Sequence, residues 1–352
     1  MPCGRVCSKA AEQGITYRNS ERLVRKMKYM ELGKSGTQIS KMGLGTWAIG
    51  GGPAWNGDLD ERDCIDTIVK AVDLGINLID TAPGYNFGNS EVIVGKALKE
   101  VDREKVCLVT KCGIVWTREG ALFNKVGDTQ LYKNLSPESI REEIEESLRR
   151  LQTDYIDVYM THWQAVEPFF TPISETMEVL NELKAEGKIK AIGAANVTKE
   201  HIAEYVKYGE LDIVQGKYSV LDRAVEEELV PICKEHQVTL QAYSPLEQGL
   251  LTGTLPRDYV PTGARANKKW FQPGNMQKAM DMMDDWKPFC EKYNCNIPTL
   301  ALAWIMNQGP HINLLSGATT AEQIAVNAKA ADIQISASDL LRMRAMAEAI
   351  DQ

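Results

Sequence analysis

The amino-acid sequence predicts an α/β fold, a (β/α)8 TIM barrel with an N-terminal β-hairpin and extra helices in the last third. Three observations lead there. Short apolar runs rich in β-branched residues alternate with amphipathic helical stretches from residue 28 onward, the pattern of parallel strands covered by helices. Eight such units follow one another, as a closed barrel requires. The Gly-rich stretch at 50–52 does not open a helix directly, so the GxGxxG turn of an open dinucleotide-binding sheet is missing.

The 352 residues are 44% hydrophobic and 25% charged, an ordinary soluble composition that fits one large domain. A net charge of −8 argues against a nucleic-acid or anionic-membrane partner. No apolar run approaches the roughly 18 residues of a membrane helix. The eight cysteines form no CxxC and read as reduced thiols, which points to the cytosol. No two of the four histidines have ligand spacing on one helix, so no metal is expected. Residues 1–26 are rich in Lys and Arg, carry Cys3 and Cys7, and lack both apolar periodicity and a signal-peptide core. They are expected to be a disordered extension, leaving 27–352 as a single barrel domain.

Each element has a local cause. Two alternating runs around Gly33–Gly36 read as a hairpin. Residues 42–45 form the first barrel strand, and Asp58 or Asp60 caps the helix that follows the Gly-rich loop. Residues 76–79 lead a strand to Asp80, a Pro/Gly turn carries Tyr85, and a helix spans 89–99. The next strand ends at Lys111, and 112–135 read as a long loop holding Trp116 and Phe123. Ser136-Pro137-Glu138 starts a helix to Leu151, with Ser as cap and Pro in the first turn. Strands then end at His162, Asn196, Gln215, Tyr243–Ser244 and Gly317. Between and after them come helices 172–186, 199–207, 223–236, 275–293, 298–307, 321–329 and 338–350, with a second long segment at 246–275.

The C-terminal strand ends of a barrel carry its chemistry. An Asp, a Lys and a His at three consecutive ends, with a Tyr on the loop above the first, form a chemical set. Lys111 is expected to favour the phenolate of Tyr85 and lower its pKa, with Asp80 holding Lys111 in place and charged. His162 is placed to hydrogen-bond the phenol or a substrate oxygen. The set is a proton donor facing a developing oxyanion, which suits carbonyl reduction. Singly, each residue has a plainer reading: a structural ion pair, a packed histidine, a rim tyrosine.

These residues resemble the aldo-keto reductases from about Met30 to Gln352. Gly-Leu-Gly-Thr-Trp at 43–47 is similar to the family's first strand. Asp80-Thr81-Ala82-x-x-Tyr85, Gly88-x-Ser90-Glu91 and Gly95-x-Ala97-Leu98 are similar to its first motif, and Lys111 and His162 fall at its remaining catalytic positions. The resemblance implies Tyr85 as general acid, tuned by Lys111 and Asp80, with His162 orienting the carbonyl. It implies a nicotinamide cofactor, with Asp80, Asn196 and Gln215 near the carboxamide end and Tyr243 stacked on the ring. Gly45, Thr46 and Trp47 would line its seat. Ser244, Leu246, Gln248 and Gly249 would approach the pyrophosphate, and Gly317, Thr319, Gln323 and Asn327 the adenosine end. A small carbonyl substrate would lie among Trp47, Trp55, Tyr85, Trp116, His162 and Trp163, some of which can equally well pack the rim.

Two departures stand out. Ala195-Asn196 replaces the family's usual Ser-Asn, removing one hydrogen bond. The positions near Gly317 and Gln323 where NADPH-specific members place Lys and Arg are not basic here. NADH is therefore expected to serve at least as well as NADPH, which remains possible if Arg265, Lys268 or Lys269 reaches the phosphate. Two other functions compete: a cofactor-sensing regulatory subunit, as in potassium-channel β subunits, and an aldolase using Lys111 as a Schiff base. The second conflicts with a charged lysine.

Overall fold

In the computed structural model, residues 27–55, 57 and 59–351 are described. The expected extension at 1–26 and the alternative cap Asp58 lie outside them. Eight parallel strands close into a barrel: β1 (Met42–Gly45), β2 (Leu78–Asp80), β3 (Cys107–Cys112), β4 (Ile156–Thr161), β5 (Ile189–Ala195), β6 (Ile213–Lys217), β7 (Thr239–Tyr243) and β8 (Ile312–Gly317). Neighbours in space are neighbours in sequence, and β8 pairs with β1 to close the ring. Among the helices are α1 (Glu61–Asp73), α2 (Asn89–Ala97), α3 (Pro137–Leu151), α4 (Ile173–Ala185) and α5 (Lys199–Tyr208). Asp60 caps α1 by accepting from the amides of Arg62 and Asp63, and Ser136 caps α3.

Strand periodicity places the chemistry. Side chains two apart share a face, so Leu78 and Asp80, Val109 and Lys111, and Ile213 and Gln215 all enter the lumen. The lower lumen is apolar, filled by Leu78, Val109, Val158, Met160, Ile213 and their neighbours. The hairpin Tyr29–Glu31/Gln38–Ser40 adds Leu32 and Ile39 to this cluster and so plugs the N-terminal end. A larger apolar layer lies between the barrel wall and the helices.

Three expectations are corrected. Residues 112–135 are not a plain loop: Ile114–Val115, Ala121–Val126 and Thr129–Lys133 form a three-stranded antiparallel flap with the last strand central. The Gly127-Asp128 pair is the hairpin turn signal for it. The helix expected at 223–236 is two, Val225–Glu228 and Val230–His236, broken where Pro231 cannot donate an amide. The helix expected at 275–293 likewise divides into Asn275–Asp284 and Lys287–Tyr293, with Pro288 in the second one's first turn.

The turn after β3 depends on α3. The Gly113 amide donates to both carboxylate oxygens of buried Glu143, at 3.1 and 2.9 Å. Burial pushes the Glu143 carboxyl up to about 8, only partly opposed by the Gly113 and Ser139 hydrogen bonds. A raised folded-state value means that ionisation opposes folding. Stability should be full below the ordinary carboxylate range and be lost as pH rises towards 8, by on the order of 4 kcal/mol. Glu143→Gln should flatten this slope in urea titrations run from pH 5 to 8. Parallel slopes for the two proteins would remove Glu143 as its source.

Candidate active site

Lys111 is wholly buried at the end of β3, and its ammonium organises the centre. Its Nζ donates to Asp80 Oδ1 and Oδ2 at 2.8 and 2.9 Å and to the Thr81 carbonyl at 2.9 Å. It also lies 3.1 Å from Tyr85 Oη. An ammonium can only donate, so the phenol oxygen accepts there, and Tyr85's own proton is directed elsewhere. Burial works to lower the Lys111 pKa, but Asp80 and then Tyr85 outweigh it, and the net direction is up. An ammonium held this way is no Schiff-base nucleophile.

The expected acidification of Tyr85 is corrected. Burial is the largest influence and raises its pKa; Lys111 pulls it back without reversing the sign. The phenol therefore keeps its proton through neutral pH. His162 follows β4 and meets Tyr85 edge to face, with ring centroids 5.7 Å apart. Burial, then the Lys111 charge, hold its pKa well below 6.5, so it is a neutral imidazole. Its Nδ1 is buried without a partner.

Gln215 on β6 ties this group to the far wall. Its Nε2 donates to Asp80 Oδ2 at 2.6 Å and to Gln241 Oε1 at 2.7 Å. Gln241 donates to Asn313, which donates to the Ser40 carbonyl, both at 2.7 Å. Because the carboxylate accepts only, the amides are oriented along the whole chain. Asn196 has a left-handed backbone; its Nδ2 donates to the His162 carbonyl at 2.9 Å, and its Oδ1 accepts from Tyr243 Oη at 2.8 Å. Burial pushes the Tyr243 phenol up to about 12.

The Tyr85 loop is fixed from both sides. Thr46, Thr81 and Ser90 share a buried hydroxyl cluster that joins β1, β2 and the start of α2. The Thr46 hydroxyl is thus turned into the protein rather than towards a cofactor. Asn86 and Asn89 both donate to the Gly50 carbonyl. A Cβ on Gly52, whose φ is +78°, would meet the Asn86 side chain at 2.4 Å, so this approach requires glycine.

The aromatic residues divide. Trp47 packs on Trp55 and on Tyr85, with centroids 5.1 and 6.2 Å away. Trp116 meets Phe87 beyond Tyr85, and Trp163 meets Phe123 of the flap. All four tryptophans are half-buried around the mouth.

The remaining predicted residues form two clusters. After β7, Ser244, Glu247, Gln248 and Gly249 all have positive φ. Gln248 donates to Ser244 Oγ, while its own Oε1 is buried without a partner. Leu246 packs against the main core. Above β8, Gly317 lies beside Gly45 in the β8–β1 pairing. Gln323 Oε1 accepts from the Thr319 amide and hydroxyl, and Asn327 donates to Ser316 Oγ and the Gly317 carbonyl.

Sequence reasoning missed the Gln241–Asn313 relay; polar residues at lumen-facing positions of apolar strands were its signal. Arg265 lies in the long segment after β7. That guanidinium donates to the Gln248 carbonyl and Tyr259 Oη, both at 2.8 Å, and sits 5.6 Å from the Trp55 ring centre. It is thus held against the loop after β7.

A closed barrel with a Lys–Asp–Tyr–His set at its C-terminal mouth defines a barrel oxidoreductase. The chain belongs to the aldo/keto reductase family, whose pattern matches residues 41–348. It is 66% identical over 326 residues to the NADH-specific methylglyoxal reductase of Escherichia coli (strain K12), covering 93% of this chain and 100% of that protein. It is 39% identical over 286 residues to the aldo-keto reductase YhdN of Bacillus subtilis (strain 168), covering 80% and 82%. Among solved structures, a glycerol dehydrogenase of Gluconobacter oxydans superposes with a TM-score of 0.78 at 33% identity, covering 92% of this chain and 94% of that one.

Removing the central ammonium should leave Asp80 buried and unpaired. Lys111→Met is expected to lower unfolding free energy by about 3–5 kcal/mol, and Asp80→Asn/Lys111→Met to recover much of that. Urea melts read both. A Lys111→Met loss under about 1 kcal/mol would contradict a buried ion pair.

Proposed function

We propose that the protein is an NADH-dependent reductase of small 2-oxoaldehydes of the methylglyoxal kind. The observation carrying this reading is the direction of the Lys111–Tyr85 hydrogen bond, which leaves the phenolic proton for a substrate oxygen. The relative named for NADH and methylglyoxal supports the cofactor and substrate class.

Tyr85 is the general acid. Lys111 stabilises the phenolate left after transfer, and Asp80 keeps Lys111 charged and in register. Neutral His162 contributes an N–H to the carbonyl oxygen and carries no charge to compete with Lys111. Trp47, Trp55, Trp116 and Trp163 keep water from the reacting carbon. A bound nicotinamide supplies the hydride.

The residues present suit that cofactor. Both amide protons of Gln215 are committed within the protein, which leaves its carbonyl oxygen for a carboxamide N–H. Tyr243 is fixed by Asn196 at the edge of the same space and presents a ring for stacking. Ser244, Glu247, Gln248 and Gly249 shape a tight glycine-containing loop suited to a diphosphate, and Gln248 Oε1 awaits a donor. Arg265 adds a positive charge beside that loop. The stretch 316–327 carries Glu322 and no cation, so nothing there neutralises a 2′-phosphate. We read residues 27–352 as one domain working in the cytosol; among the described residues no helix is long and apolar enough to cross a membrane. A purely regulatory subunit is disfavoured by the complete proton-donating set.

Tyr85→Phe should lower kcat by at least about a hundredfold, the usual worth of a general acid, while NADH still quenches protein fluorescence. A fully active variant would remove Tyr85 from the mechanism. Because the Tyr85 pKa is raised, the reductive kcat/KM should stay level as pH rises through neutrality and fall only above tyrosine's ordinary value of 10.0. A fall centred below that value would contradict the proton donor. Steady-state assays should give kcat/KM for NADH equal to or above that for NADPH, and the reverse order would sink the cofactor assignment.

A further inference from the structure

The flap carries a lysine where its pattern calls for an apolar residue. In the strand Thr129–Lys133, Leu131 and Lys133 share a face, and Leu131 is buried. Lys133 pairs directly with Ile114 on one side and Ala121 on the other, both buried. Ile114 faces the site: a Cβ placed on Gly84 would meet it at 3.3 Å and His162 Cε1 at 3.9 Å. Lys133 therefore stands on the flap's inner face, in the row that looks over Tyr85 and His162. Inward-pointing charges often guard edge strands, but this strand is the central one, so that explanation does not apply.

The ammonium rests on aromatic rings. Lys133 Nζ is 4.8 Å from the ring centre of Trp163, the residue after His162, and 5.6 Å from that of Phe123. Among the described residues no carboxylate lies within ion-pair distance of it, although most half-buried lysines of this protein have one, as Lys217 does with Asp222 and Glu247. Burial alone lowers its pKa, with no neighbouring anion raising it. Half-buried and without an anion, a lysine in this setting gains from an anionic group supplied from outside.

We infer that Lys133 determines specificity, selecting aldehydes that carry a carboxylate a short carbon spacer away from the carbonyl. The inference rests on the reductase reading above and extends its substrate class. The carbonyl lies against Tyr85 and His162. The ammonium rests against Trp163 and Phe123 and touches neither Tyr85 nor His162, so a carboxylate held a few carbons from the carbonyl suits it better than one attached directly to the carbonyl carbon.

The test compares succinic semialdehyde with butanal, which lacks the carboxylate, in wild type, Lys133→Met and Lys133→Glu. The selectivity ratio, kcat/KM for the acid over kcat/KM for butanal, should fall at least about tenfold in Lys133→Met and further in Lys133→Glu, chiefly through KM. Added salt should lower the ratio in wild type and not in Lys133→Met. A lysine that merely props up Trp163 would change both substrates together, and an unmoved ratio would overturn the inference. A wild-type enzyme that reduces neither aldehyde nor methylglyoxal would instead remove the reductase reading, and this inference with it.

Discussion

The structure depends on placing one ammonium inside an apolar barrel. Lys111 has no exposure, and burying an unpaired cation there would be prohibitive. Asp80 makes it tolerable, and the Thr81 carbonyl and Tyr85 oxygen complete its surroundings. The lumen below is largely hydrocarbon, so these polar contacts are poorly screened and strongly directional. Asp80 in turn needs a second donor, which Gln215 provides at the head of an amide chain running to the hairpin plug. The Lys111–Asp80–Tyr85 centre and the barrel's closure are thus one hydrogen-bonded system.

This arrangement explains why Tyr85 need not be an unusually acidic phenol. Burial raises its proton affinity, and Lys111 limits the rise. As the proposed donor in the reductive direction, Tyr85 must first hold its proton and then release it as negative charge grows on the substrate oxygen. The fixed ammonium is most useful in that second state, after the proton has left, and costs no reorganisation then. The hydroxyl cluster at Thr46, Thr81 and Ser90 and the Gly50–Asn86 contact serve the same end by holding the phenol over the ammonium.

Much of this was legible in the chain because strand periodicity is a strong local signal. Polar residues closing apolar runs located Asp80, Lys111 and His162 at consecutive strand ends, where a barrel carries its chemistry. Contacts between strands were less legible: residues 239–243 show a polar Gln241 within an apolar run but not that it hands a hydrogen bond from Gln215 to Asn313. The flap was missed for a different reason. Its strands are short and half-exposed, and the polar residues along Ala121–Val126 masked the alternation, although the Gly127-Asp128 turn was readable. The sign of the Tyr85 shift also lay beyond the sequence, because adjacency to a cation was evident and the depth of burial was not.

The account is tested most directly by titrating Tyr85 itself, using protein carrying 13C at the tyrosine ζ carbon and following its resonance with pH. The wild-type phenol should titrate above tyrosine's ordinary value of 10.0, and Lys111→Met should move it higher still, since the charge that favours the phenolate is gone. A Tyr85 resonance that titrates at the same pH in both proteins, or lower in the variant, would contradict the claim that Lys111 governs the proton.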